Sequence, residues 1–185
     1  MAKQFSGFEP EHERFVAEQH IFFVATAAPE GRVNLSPKGM DSVRVLGPNR
    51  LVWLNLTGSG NETAAHLRES PRMTVMWCSF TRRPLILRAY GAATAIHRDT
   101  PGWAELYAHF PDEIGARQIF DMTVDLVQTS CGYAVPFMDF REPRETLHNW
   151  AEKAGPDAIA TYWAERNTVS IDGKPTGIPA DLPVS

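Results

Sequence analysis

Apolar and polar positions change over in short blocks through the first hundred residues, the signature of brief, half-buried strands rather than long helices. Ile21-Phe-Phe-Val-Ala-Thr-Ala is β-branched and aromatic and runs into Pro29-Glu-Gly-Arg, which predicts a buried strand and a tight reversal. Val33 to Ser36 reads as the return strand, with Pro37 expected to end its regular pairing because proline has no amide to donate. Val43 to Leu46 and Leu51 to Leu56 are the next two strands, split by the turn Gly47-Pro-Asn-Arg. Arg72 to Phe80 alternates, and Leu85 to His97 follows as a long strand with Gly91 marking a bend or bulge. Two helices punctuate the run: Pro10 to about Gln19, preceded by an apolar hook from Phe5 to Phe8, and Asn61 to Arg68. Six short strands with one small helix among them predict an antiparallel barrel.

The pattern changes after His97. Trp103, Leu106, Tyr107 and Phe110 fall at helical offsets, and a second helix is expected over Glu113 to Phe120. Met122 to Thr129 alternates again as a returning barrel strand, with Val124 and Leu126 on one side and Asp125 and Val127 on the other. Glu142 to Ala154 and Pro156 to Arg166 read as two amphipathic helices parted by Gly155-Pro156, and Asn167 to Gly177 is a turn-rich tail. The expectation is one domain over 1–185, mainly β with peripheral helices (α+β): a barrel at about 21–130 and a helical extension at about 141–167.

Composition narrows the partners. The 185 residues are 43% hydrophobic and 22% charged, with a net charge of −4, ordinary values for a globular chain. No run of lysines or arginines forms a basic stripe, so nucleic acid is not expected, although Arg82-Arg83 could attract a small phosphorylated molecule. Cys78 and Cys131 are too few and too distant for a disulfide framework. The start lacks an apolar leader and no stretch is long enough to span a bilayer, so a cytoplasmic address away from membranes is expected.

Candidate chemistry is sparse. The six histidines lie on different elements with no i, i+4 pair, so no metal site is predicted. Cys131, between Ser130 and Gly132, reads either as an exposed thiol or as a small structural side chain, and no neighbouring base is evident. Trp103, Tyr107, Trp150 and Trp163 read as pocket lining or as core. Arg88 interrupts an apolar strand and is either functional or simply outward-facing. Lys38 follows Pro37 at a strand end, where it could turn toward a ligand. Gly58-Ser-Gly-Asn leads into the short helix: either a plain loop or an anion cradle, in which the glycines allow the turn and Asn61 caps the amide of Thr63 or Ala64.

At these residues the sequence resembles the pyridoxamine 5′-phosphate oxidase-like flavin-binding split barrels. The likeness is carried by the strand before Lys38, Leu51-Val-Trp-Leu-Asn-Leu, the glycine-rich entry to the helix, Ser70-Pro-Arg-Met-Thr-Val-Met-Trp and Leu85-Ile-Leu-Arg-Ala-Tyr-Gly. It implies a six-stranded antiparallel split barrel that forms a homodimer, with FMN in grooves between subunits. Carried onto this chain, it puts Lys38 at the phosphate or ribityl side, Asn61 and Thr63 on phosphate oxygens, Trp53, Leu54 and Asn55 along the isoalloxazine edge, and Ser36 beside the ring. Arg88 would come from the strand facing the cofactor. The implied function is flavin-mediated hydride or electron transfer with a small-molecule substrate; the alternative is a non-catalytic flavin, haem or F420 binder acting as carrier or sensor. No catalytic side chain is singled out. Asn34 and Asn61-Glu62-Thr63 stand where true pyridoxamine phosphate oxidases carry arginine and a Ser-Arg-Lys set, and their C-terminal Arg-Leu-His-Asp-Arg motif is absent, so vitamin B6 oxidation is not expected.

Overall fold

A computed structural model describes residues 2–179 together with 181, 182 and 184. Eight strands form one antiparallel sheet: β1 (Lys3–Phe5), β2 (Phe22–Thr26), β3 (Asn34–Lys38), β4 (Val43–Gly47), β5 (Arg50–Leu56), β6 (Arg72–Cys78), β7 (Ile86–His97) and β8 (Ala116–Ser130). Their order is β3-β2-β6-β7-β8-β5-β4, with β1 added along β8. The end strands β3 and β4 are consecutive in the chain, so the sheet curls until its two ends meet at the 39–42 connection and leave a cleft there. Around it lie α1 (Pro10–Ala17), α2 (Glu62–Leu67), α3 (Trp103–Tyr107) and α4 (Thr146–Arg166).

Alternation fills the barrel. Phe22, Val24, Trp53, Val75, Trp77, Leu87, Ala89 and Phe120 all point inward and are essentially buried, each aromatic contributing about 1.5–3 kcal/mol by leaving water. Trp53 stacks on Phe120 at 4.8 Å between ring centroids. A second apolar cluster, Val52, Leu54, Leu106 and Ile119, lies outside the barrel wall beneath α3, and a third, Ala151, Ile159 and Trp163, fixes α4.

Four sequence expectations change. Glu113 to Phe120 is not helical: β8 runs from Ala116 as one 15-residue strand. Ile119 belongs to the outer cluster and Phe120 to the barrel core, so both faces are apolar and the alternation that marks a strand disappears. Pro37 does not end β3; it pairs with Phe23, as an edge strand allows a residue without an amide. Along β8 the inward set shifts from Val124 to Val127, leaving Leu126 outside, because the register slips between Tyr90 and Gly91 and Asp125 is the extra residue. Gly91 is required there, since a β-carbon would run into the Thr123 carbonyl. The sheet also holds eight strands rather than six, β1 and β8 joining β2 to β7. The break at Gly155 is present, with φ 74° inside α4.

Candidate functional site

The cleft where the sheet ends meet has a volume of about 460 Å³. One wall is the end of β3, with Ser36 and Lys38; the other is Trp53 to Leu56 of β5; the floor is the 57–60 loop and Arg117 of β8. Lys38 sits here because β3 alternates and places it on the same face as Ser36 and Asn34. Its ammonium lies 5.1 Å from the centroid of the Trp53 ring, a cation–π contact. Burial lowers its pKa, Arg117 pushes the same way, and Glu62 opposes both. Lys38 makes no ion pair among the described residues.

Arg117 is the residue the sequence reading missed. It is 2% exposed, and its guanidinium donates to the carbonyls of Gly58 at 2.9 Å and Gly60 at 2.6 Å and to Asn61 Oδ1 at 3.4 Å. No carboxylate pairs with it among the described residues, and its Nε–H finds no acceptor. Burial pulls its pKa down to about 10, with Tyr162 and Glu62 pulling it back up. A charge inside the apolar run Ile114-Gly-Ala-Arg-Gln-Ile-Phe was the available signal, obscured by reading that run as a helix.

The loop carbonyls face Arg117, and the amides of Gly58, Ser59 and Gly60 donate to no acceptor among the described residues. These glycines are not there to permit a turn. Neither has positive φ, and a β-carbon on Gly58 would meet nothing within 4 Å. What they provide is bare backbone against the cleft. Free amides, a buried guanidinium and an unpaired ammonium make a site that favours an anion.

The helix start is not that cradle. Asn61 makes no cap bond to α2; its Nδ2 donates to the carbonyls of Arg166 and Val169, and its Oδ1 accepts from Asn167 at 2.8 Å. The tail competes successfully for the cap side chain. Thr63 Oγ1 accepts from Asn34 Nδ2 at 3.1 Å, inside a chain in which Ser36 donates to Asn34 and Asn34 also donates to Thr26. Thr26 Oγ1 and His66 Nδ1 share a hydrogen bond at 3.1 Å, and the buried His66 Nε2 has no partner among the described residues. The gap among Asn34, Thr63, Glu62 and Gln118 is about 10 Å³, room for a water and nothing larger.

Of the sequence-predicted residues, Ser36, Lys38, Trp53, Leu54 and Asn55 meet at the cleft, while Asn61 and Thr63 lie behind its floor in internal bonds. Arg88 stands apart from them in the chain's own fold: it follows Met76 and Phe23 on the outer face of the sheet and donates to Ser130 Oγ at 3.2 Å. Trp163 is core and Trp103 packs under the sheet, whereas Trp150 lines a cavity. Glu9, Glu11 and His12 converge as a group with metal-ligating atoms. His12 Nδ1, however, accepts the Glu9 amide, which places its proton on Nε2 and removes it as a ligand.

Residues 8–131 match the family model described as pyridoxamine 5′-phosphate oxidase. A curated relative, the pyridoxamine 5′-phosphate oxidase family protein ustO of Aspergillus flavus, is 35% identical over 175 residues, covering 85% of this chain and 70% of that protein. The chain belongs to the pyridoxamine 5′-phosphate oxidase family. Two solved structures share the fold of this family member at low identity. One, from Lactobacillus delbrueckii and described as a candidate pyridoxamine 5′-phosphate oxidase, is 16% identical with a TM-score of 0.54, covering 66% of this chain and 94% of that one. The other, HupZ from Group A Streptococcus, is also 16% identical, with a TM-score of 0.51 over 64% of this chain and 91% of that one. The family match ends at residue 131. The strap over 132–145, α4 and the tail lie beyond it, yet they supply Leu147 to the cleft wall and Asn167 to its floor.

Proposed function

We propose that this family member binds FMN in the cleft and uses it to pass a hydride or electrons to or from a small molecule. The observation that carries the reading is the unpaired positive site formed by Lys38, Arg117 and the free Gly58–Gly60 amides beside the flat, buried Trp53. A ligand with an anionic tail and a planar ring matches both halves, and FMN is such a ligand. The donors fit a phosphate: two cations and amides without acceptors, in place of the helix start. Trp53 to Asn55 would lie along the ring and Ser36 at its edge. Bound flavin supplies the redox chemistry, and the protein's part is binding, orientation and exclusion of water. Lys38 and Arg117 are the titratable groups lining the cleft, and neither is placed as a nucleophile.

The second element of the proposal is a homodimer. Val33 just before the edge strand and Leu35 on it are 73% and 66% exposed, and Tyr133 and Phe137 on the strap are 82% and 80% exposed, too much apolar surface to leave in water without a partner.

The test is cofactor retention. Purified chain is expected to carry flavin absorption, and Lys38→Ala to weaken FMN binding at least roughly tenfold, about 1.4 kcal/mol. Flavin retained without flavin-dependent oxidation of a reduced nicotinamide favours the carrier reading. Unchanged FMN affinity in Lys38→Ala overturns the placement.

A further inference from the structure

Lys38 stands at a neck. Pro37, Lys38, Gly39, Met40 and Leu147 line the cleft and also line a second, larger chamber of about 1050 Å³ on its other side. That chamber's walls are Ile21 from the entry to β2, Met40 from the β3–β4 connection, and Phe140, Leu147 and Trp150 from the strap and α4. Phe140, Leu147 and Trp150 lie outside the matched family region, so the extension shapes one side of the chamber.

The lining is mostly apolar, with Gln19, Asp41, Glu142, Arg144 and Thr146 among it. Phe140 stacks face to face on His20, with centroids 3.6 Å apart and planes 11° from parallel. Trp150 is braced edge-on by Tyr162 at 5.7 Å. The clasp of His148 on Glu113 at 3.2 Å holds the start of α4 in place. At the rim Asp41 pairs with Arg44 and Glu142 with Arg141. The Lys38 ammonium at the neck and the Arg144 guanidinium make no ion pair among the described residues.

We propose that this chamber binds a planar aromatic molecule of two or three rings that carries a hydroxyl or carbonyl oxygen, a phenol or quinone in class. Flat aromatic walls favour a flat apolar occupant. The Lys38 ammonium at the neck, with the Arg144 guanidinium also in the lining, selects an oxygen acceptor at the ring edge and rejects a cation. The inference rests on the flavin reading only in naming the occupant a substrate; the binding itself does not require FMN.

The experiment is calorimetric titration of 2-naphthol into the full chain, with and without FMN, against naphthalene-2-methylammonium as the cationic control. Phe140 and Trp150 are 52% and 40% exposed, so the double variant Phe140→Ala/Trp150→Ala leaves the barrel core intact. Expected are binding of 2-naphthol, a loss of at least roughly tenfold in the double variant with FMN affinity unchanged, and no binding of the ammonium compound. Equal 2-naphthol affinity in the double variant overturns the proposal, as does absence of binding, including absence because a second copy covers Trp150. Equal binding of the ammonium compound overturns the selection by positive charge. Should the chain bind 2-naphthol yet hold no FMN, the chamber stands and the flavin reading falls.

Discussion

A guanidinium buried without a carboxylate, as at Arg117, is held by oxygen dipoles alone, and the loop it holds depends on it in return. Arg117→Met would strip the Gly58 and Gly60 carbonyls of donors and is expected to cost about 1–3 kcal/mol in denaturant unfolding. Arg117→Lys restores the charge without the planar fork, so it should recover FMN affinity in part and loop order not at all. Lys38 gives a pH signature. Because burial lowers its pKa below the ordinary lysine value, it loses its proton earlier as pH rises, and with it the attraction for an anion. FMN affinity should fall on going from neutral to alkaline pH, and Lys38→Arg should hold it to higher pH; equilibrium titration across that range reads the difference. Residue by residue, Lys38 and Trp53 were legible because a strand end and an apolar strand with a tryptophan are local patterns. The engagement of Asn61 was not, because its partners are more than a hundred positions away, in the tail.

Among the elements, β8 shows where local pattern gives out. Its second half alternates and reads as a strand; its first half is wedged between two apolar clusters and reads as anything hydrophobic. Gly91 was legible because a glycine weakens a strand interior unless a bulge or a close backbone approach needs it there. Gly91→Ala should cost about 3 kcal/mol or more, among the larger effects of a single substitution, measured by denaturant unfolding. The start of α4 carries its own titration. The hydrogen bond from His148 to Glu113 favours the charged imidazole first, with Glu152 adding to it, so the folded pKa lies above the ordinary 6.5. Its stabilisation is complete below the unfolded pKa and disappears as pH rises through the folded one. His148→Gln should flatten that portion of a melting-temperature profile recorded against pH.

For the molecule as a whole, the proposed homodimer rests on the apolar residues left outside. Sedimentation should give a dimer for the native chain, and Leu35→Lys with Phe137→Glu should shift it toward monomer without unfolding the barrel, since both side chains lie outside the core. No helix among the described residues is long and apolar enough to cross a membrane. The fold class was readable at this scale because strand spacing and turn chemistry repeat along the chain, whereas the way the extension folds back on the barrel is written in single long-range bonds. One of those joints has a wider effect. The Gly58 carbonyl is gripped from one side by Arg117 of the barrel and from the other by Asn167 of the tail, while Trp163 donates to Thr57 just before it. On the proposed reading the ligand grip and the tail dock share this loop, and any free energy that couples them acts equally in both directions. A protease cut after Arg166 is expected to loosen bound FMN, and saturating FMN to shield that cut.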